Sequence, residues 1–307
     1  MQYTRKPERR RRSTLRRASL AVALLVGAVP GAVMTSQANA VTPVGSNPAK
    51  YLGTWNYDLP NRTTMRNIAV ISGQPTVEIP QIGWIVFSDN ADGSVTGRTD
   101  QGCTWNFEVR ADSLDLAGSQ SCFNHVVGSA YTITDWTVRV SGHHENESLT
   151  AISHLPTGDR DFVLQDGART KTGRDDDSTQ RFVGGWTYAP ANPQTLQNIV
   201  ATYGPGGSVT YSAETGTVAF AKIGDGTVAA RTPDGCTWNL RVQGNTAELQ
   251  PAVQTCELTD STATLTFWSI ASDGRQQDSV IAGTDVANGQ TSAFSLSVGN
   301  MSSDLPR

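Results

Sequence analysis

The sequence predicts an all-β protein built as two tandem antiparallel up-and-down β-barrels, each holding one internal disulfide. Three observations predict it. The chain repeats itself end to end, its apolar residues alternate with period two between turn signals, and its four cysteines fall at equivalent places in the two copies. Without a helix to cover a sheet edge, closing each sheet on itself removes the exposed edges; a pair of β-sandwiches is the alternative.

Residues 1–40 read as an export signal. A basic run, "RKPERRRRSTLRR", precedes the apolar "ASLAVALLVGAVPGAVM", and Ala38 to Ala40 form a small-x-small cleavage site. Pro30 and the glycines argue against an uncleaved membrane helix. Arg16 and Arg17 also fit a twin-arginine signal, so the Sec and Tat routes both stay open. Either route implies a bacterial protein that is secreted.

Without this segment the chain has 16 basic and 27 acidic residues, a net charge near −11. That excludes a nucleic-acid or anionic-membrane partner, each of which needs a basic surface. No other stretch reaches 18 apolar residues, so no membrane insertion is expected after cleavage, and a monomer is the expectation.

The repeat sets the organisation. "YLGTWNY" at Tyr51 returns as "FVGGWTY" at Phe182, "GWIVF" at Gly83 as "GTVAF" at Gly216, and "RTDQGCTWNFEV" at Arg98 as "RTPDGCTWNLRV" at Arg231. Offsets drift only between 131 and 134 positions, so the match is collinear, with single-residue loop insertions. A period this long marks a duplicated domain rather than a solenoid. The first copy is placed at 48–172 and the second at 181–303, with a polar linker at 173–180 between them.

Strands follow in order at "GTWNY", "NIAVIS", "GWIVFSD", "GSVTGRT", "CTWNFEV", "SLDLAG", "YTITDWTVRVSG", "ESLTAIS" and "DFVLQ". Turns such as "ADG", "DQG", "PDG" and "SDG" punctuate them. In the fifth strand Cys103, Trp105, Phe107 and Val109 alternate with polar neighbours, as do Cys236, Trp238, Leu240 and Val242 in the second copy, which puts one face inside.

Gly53-Thr54-Trp55 and Gly184-Gly185-Trp186, each opening the first strand of a meander, make each copy resemble lipocalin- and avidin-like (calycin) barrels. That resemblance implies that Trp55 and Trp186 plug a closed barrel end and that a small-molecule cavity lies beyond. Thr134-Asp135-Trp136 resembles a second lipocalin motif, while the other copy carries Thr266-Phe267-Trp268. The resemblance carries over no ligand-contacting residue.

Four cysteines allow three pairings, but only Cys103 with Cys122 and Cys236 with Cys256 gives both copies the same bridge. The rival reading is a nucleophilic thiol, which needs a base beside it. The nearest histidine in sequence, His125, is matched by Thr259, so a thiol present twice would have its base once.

Trp55, Trp105 and Trp136, with Trp186, Trp238 and Trp268, read as core aromatics or as a stacking platform. Arg98 and Arg231 read as stacking on a tryptophan to close a barrel end, with ligand binding as the alternative. Trp84 points opposite to Ile85 and has Thr217 as its counterpart, making it a candidate ligand contact or a packing contact with the other domain.

His143 and His144, in a turn that reads "SGHHENES", are candidate contacts too. Joined by Glu145 or Glu147 they could reach a metal, but a solvated hairpin tip explains them as well. Asp175 to Asp177 lack the glycine and final carboxylate of an EF-hand. No catalytic serine elbow, zinc-protease motif, P-loop or dinucleotide fingerprint is present.

The expectation is therefore a secreted, non-enzymatic binding protein without cofactor or metal, its partner a small hydrophobic molecule or an extracellular protein. A hydrolase sited in the first repeat around His125, His143 and His144 is the rival, and an envelope-surface structural protein is a third reading.

Overall fold

A computed structural model describes residues 47–73, 76–124, 129–155, 158–172 and 178–304. The export signal, His125 and Asp175 to Asp177 lie outside the described residues. The first repeat forms β1 (Gly53–Tyr57), β2 (Ile68–Ile71), β3 (Val77–Pro80), β4 (Trp84–Asp89), β5 (Val95–Thr99), β6 (Thr104–Val109), β7 (Leu114–Leu116), β8 (Gln120–Asn124), β9 (Ser129–Ser141), β10 (His144–Leu155) and β11 (Gly158–Lys171). The second forms β12 (Gly184–Tyr188), β13 (Ile199–Tyr203), β14 (Val209–Ala213), β15 (Thr217–Gly224), β16 (Thr227–Arg231), β17 (Thr237–Gln243), β18 (Thr246–Leu249), β19 (Gln254–Glu257), β20 (Ser261–Ser272), β21 (Gln276–Ala287) and β22 (Gln290–Ser303).

Both repeats are closed eight-stranded antiparallel barrels. The first ring runs β1-β4-β5-β6-β7-β9-β10-β11 and closes where Trp55 of β1 pairs with Lys171 of β11. The second runs β12-β15-β16-β17-β18-β20-β21-β22 and closes at Trp186 with Ser303.

Each ring departs from a plain meander in the same way. Strands β9, β10 and β11 are 13, 12 and 14 residues long, more than the ring needs. Strand β7 pairs with Val138 and Thr137 of β9, leaving the earlier half of β9 to β8. Likewise β1 takes the end of β11, and the β2–β3 hairpin takes Phe162 and Val163. The extra length thus finds its own ladder partners and forms a lip beyond one end of the barrel. Register breaks at Glu147/Leu149 and Thr150/Ala151 bend the strands where ring becomes lip.

The alternation foreseen in β6 holds: Trp105 and Phe107 are buried, while Thr104, Asn106 and Glu108 are exposed. Trp55 is fully buried and its indole donates to the Tyr51 carbonyl at 2.6 Å; Trp186 repeats this with Phe182 at 2.6 Å. Trp136 meets Phe107 and Trp105 edge-on, with ring centroids 5.1 and 6.1 Å apart. Contacts of this geometry add about 0.5–1.5 kcal/mol each beyond area burial.

The disulfides are Cys103–Cys122 and Cys236–Cys256, and no cysteine among the described residues is free. Each joins the start of a ring strand to the short strand flanking the lip. The cysteine in the repeated phrase is therefore a staple, and the thiol reading falls.

The two barrels belong to one compact unit, Thr42–Arg307. Asn56 of β1 donates to the Gln243 carbonyl at 3.0 Å and to the Thr246 hydroxyl at 3.1 Å, while Asn245 donates to the Tyr57 carbonyl at 2.7 Å. Arg62 reaches Asp278 at 3.3 Å. The Tyr57 end of β1 is thereby held against the β17–β18 turn of the second barrel, with Arg62 on the start of β21.

Candidate binding site in the first barrel

Inside the first barrel the period-two rule delivers an unusual set of residues to the core face. Tyr57 on β1, Trp136 on β9, Glu145 and Glu147 on β10 and Arg169 on β11 are all at least nine-tenths buried. Gly167, beside Arg169, makes room for the cluster. A Cβ there would lie 2.3 Å from Glu147 Cγ.

The cluster is closely bonded. Arg169 Nη1 donates to Glu147 Oε2 at 2.7 Å and to Glu145, and its Nη2 donates to the Tyr57 hydroxyl at 2.6 Å. Tyr57 in turn donates to Glu147 Oε1 at 2.5 Å, and the Trp136 indole donates to Glu147 Oε2 at 2.6 Å. The guanidinium carbon lies 4.0 Å from the Tyr57 ring centre.

Burial opposes the charge of Arg169, but Glu147, Tyr57 and Glu145 outweigh it and hold the guanidinium protonated. Burial pushes Glu145 up to about 7 against the pull of Arg169. The Tyr57 phenol is raised well above its ordinary value, chiefly by burial. In the second barrel the equivalent positions are Gln277, Ser279 and Met301, so only the first barrel carries this charge.

Above the cluster lies a cavity of about 160 Å³, lined by rings of Tyr57, Trp84, Trp105, Tyr131, Trp136 and Phe162 and by Arg169 and Asp100. Phe267, Val280 and Ser297 of the second barrel complete its wall. The wall combines aromatic and aliphatic side chains with Arg169, Asp100 and several uncharged polar residues, and a concave, largely apolar lining with placed polar groups is what small-molecule sites have in common.

Two of the polar groups are orphans. Arg169 Nε and Trp105 Nε1 are buried N–H donors with no partner among the described residues. In the second barrel the equivalent Trp238 indole is satisfied by the Thr232 hydroxyl at 3.3 Å, while the Trp268 indole and the Gln277 amide are the unpaired groups there.

Asp100 sits on the turn after β5, in the repeated phrase, and Pro233 stands in its place in the second copy. Gly83 packs against it with φ of +93°, and a Cβ there would fall 2.0 Å from Asp100 Oδ2. Burial holds the Asp100 carboxyl well above the usual range, helped by Glu248 across the seam. Burial likewise raises Glu248 to about 7, although the Trp84 indole hydrogen bond works against the rise.

Of the residues singled out from sequence, the structure brings only some to this site. Trp105 and Trp136 line it, whereas Trp55, Trp186 and Trp238 are buried core without a place in its wall. Trp84 is half-buried, lines the cavity and bonds Glu248, so the packing and contact readings of it meet at the seam. Arg98 and Arg231 are exposed on the outer faces of β5 and β16. Arg98 lies over the Trp84 ring at 5.9 Å.

His143 and His144 are exposed at the tip of the β9–β10 hairpin. Strand alternation points His144 outward and Glu145 and Glu147 inward, so the imidazole and the carboxylates cannot share an ion. Among the described residues no group of three His, Cys, Asp or Glu side chains is placed to hold a metal.

Sequence reasoning missed Arg169, Tyr57 and Asp100, and met Glu145 and Glu147 only as partners for histidine. For Arg169, Glu145, Glu147 and Asp100 the signal was present, since these are core-facing or turn positions where one copy is charged and the other is not; Tyr57 has Tyr188 as its counterpart and gave no such signal.

A second constellation lies on the outer face of the lip. Thr132 Oγ1 is 2.9 Å from His154 Nε2, and His154 Nδ1 is 2.9 Å from Asp159 Oδ1, while Ser121 Oγ shares the Thr132 hydroxyl at 2.7 Å. The order is that of a nucleophile, base and orienting acid. Thr132 is nonetheless mid-strand, paired with Ser121 on one side and Ile152 on the other, so its neighbouring N–H groups belong to the ladder and offer no oxyanion donors.

No protein family model matches the chain. No curated protein matches it either. Among solved structures, a crystal structure described as "a putative outer membrane protein" from Bacteroides fragilis aligns over 84% of this chain and 100% of its own, at 10% identity and a TM-score of 0.26. A likeness this low transfers nothing about function. Among the described residues no helix is long and apolar enough to cross a membrane.

Proposed function

We propose that this is an exported binding protein whose first barrel holds a small, largely apolar molecule, with the second barrel serving as scaffold and as part of the cavity wall. The observation that carries the reading is the asymmetry between repeats. The cavity combines seven aromatic residues with the buried cluster of Arg169, Glu147 and Glu145, whereas the second copy has Met301, Ser279 and Gln277 in place of those charges. The calycin-like reading of the barrels, with a ligand at the open end, agrees with this placement.

Titration of the purified chain with small aromatic probes, followed by tryptophan fluorescence and by the indole N–H resonance of Trp105, tests the proposal. Saturable binding is expected. A cavity that admits no probe at millimolar concentration refutes it.

The hydrolase reading has one observation in its favour, the Thr132–His154–Asp159 relay. Against it stand the missing oxyanion donors and the place of the relay on the outer face. Turnover of a p-nitrophenyl ester that disappears in His154→Ala would make the chain an enzyme.

A further inference from the structure

We propose that the outer face of the β13–β14 hairpin in the second barrel is a self-association surface, on which the same hairpin of a second copy of this chain packs about a two-fold axis.

The sidedness of this hairpin differs from that of its counterpart. In the first copy the β2–β3 hairpin turns Ile71, Val77 and Ile79 inward, beside Phe162 and the cavity, and Glu78 outward. The second copy inverts the pattern. Thr202, Thr210 and Ser212 take the inward positions beside Phe294, and Tyr203, Val209 and Tyr211 point away from the barrel. Tyr211, which stands where the first copy has Glu78, is 66% exposed, Val209 42% and Tyr203 40%. All five residues of β14 are exposed, whereas β3 packs on β22 of the second barrel. An apolar face turned outward on a sheet edge marks a place where something docks.

The face continues a surface that is already an interface. Along β22 the outward residues are Ala293, Ser295 and Ser297. Ser297 stands in the cavity wall against the first barrel and Ser295 is buried, while Ala293, paired with Tyr203, is exposed. The patch of Ala293, Tyr203, Val209 and Tyr211 thus begins where the cover given by the first barrel ends.

Charge selects the occupant. Residues 199–213 carry no charged side chain, in a chain whose net charge without residues 1–40 is near −11. Copies of so acidic a chain repel, and an uncharged patch is where that repulsion is least. Such a patch is also its own electrostatic complement, as a two-fold contact of like with like requires.

The other arrangement of copies, the second barrel's lip on the first barrel's flank, is disfavoured by the repeat itself. Where Phe267, Val280 and Asn245 receive the first barrel, the first copy has Asp135, Ser148 and Asp112. Two apolar groups are lost, and a carboxylate replaces the amide that donates to the Tyr57 carbonyl. An open-ended chain of barrels is therefore not built, and the closed pair remains.

Sedimentation velocity of the purified chain, from about 1 to 500 μM, tests the proposal. A monomer–dimer equilibrium is expected, tighter at high salt because screening relieves the repulsion between acidic copies. Tyr211→Glu, which restores the residue of the first copy, should weaken it about a hundredfold, since the two-fold axis counts each change twice. Val209→Thr should weaken it less. Ile223→Glu, at an exposed apolar residue of β15 outside the patch, should leave it unchanged. An unaltered melting temperature shows that each variant is folded.

A chain that is monomeric throughout overturns the proposal and leaves the monomer expected from sequence. A dimer indifferent to both Tyr211→Glu and Val209→Thr, or growth into larger oligomers, also overturns it. Binding of a monomeric chain to phosphatidylcholine vesicles, lost in Tyr211→Glu, would assign the face to a membrane instead. None of these outcomes bears on the cavity of the first barrel.

Discussion

Glu147 and Arg169 face each other across β10 and β11 inside the first barrel, with 2.7 Å between Oε2 and Nη1, at positions where the second barrel has Ser279 and Met301. The same scaffold thus tolerates both a buried ion pair and an uncharged pair. The ion pair sits directly behind the cavity and aims the guanidinium by three bonds, so its role is one of positioning.

Removing one partner leaves the other charge buried. Arg169→Met alone should destabilise the chain by about 3–5 kcal/mol in urea unfolding. The triple variant Glu145→Gln, Glu147→Ser, Arg169→Met, which reproduces the second barrel, should recover most of the loss. A triple variant no more stable than the single one would show that the two cores are not interchangeable.

Acid should stabilise this protein. Burial raises Glu145, Glu214 and Glu248 each to about 7, above the ordinary 4.5 of a glutamate. Between these values the folded chain keeps protons that the unfolded chain releases, so stability is complete below about 4.5 and falls as pH rises through 7. The melting temperature should drop by roughly 5–10 °C between pH 5 and pH 8. A flat or rising profile over that interval contradicts the cause assigned to these shifts.

The two disulfides should act alike, because each closes a loop of nearly the same length, with sequence separations of 19 and 20. Replacing either pair by alanine should cost about 3 kcal/mol by the chain-entropy account. Thermal melts of Cys103→Ala/Cys122→Ala and Cys236→Ala/Cys256→Ala measure it. A loss confined to one pair would mean that the staples are not equivalent.

Gly83 is a sharper test of the cavity rim. Gly83→Ala adds a methyl 2.0 Å from the Asp100 carboxylate position and strains a φ of +93°. Probe affinity should fall together with stability. Gly93→Ala, with φ of +85° and open space around it, should show the backbone strain alone and keep binding.

The seam should respond to Asn245. Its amide satisfies the Tyr57 carbonyl at 2.7 Å, and Asn245→Ala leaves that oxygen unpaired, at a cost of about 1–3 kcal/mol. Loosening here should also increase quenching of Trp84 fluorescence by acrylamide; an unchanged Trp84 would place the seam's rigidity elsewhere.

Most of the architecture was legible from residues alone, because duplication, strand alternation and turn chemistry are local properties. Trp105 and Trp238 announced their burial through their neighbours two positions away, and the cysteine pairing followed from requiring both copies to match. What local patterns did not announce was the lip, since whether β9 and β11 end with the ring or run past it depends on which partners take up their extra length. The histidines drew attention by residue type, but His143 and His144 fall at a hairpin tip and His154 on an outer face.

The site itself was decided by tertiary structure. Arg169, Glu147 and Tyr57 lie up to 112 positions apart, and nothing in their separate neighbourhoods tells that they share one hydrogen-bonded cluster. Asp100 stood in plain view inside the repeated phrase as one of its breaks in chemistry, opposite the second copy's Pro233, yet only closure of the barrel against its twin turns that turn residue into part of a cavity wall. The sequence by itself determined how many barrels there are, where each is stapled and which face of each strand is inside. Which of those inside faces would enclose a space, and which charges would meet behind it, depended on packing between strands distant in the chain and between the two barrels.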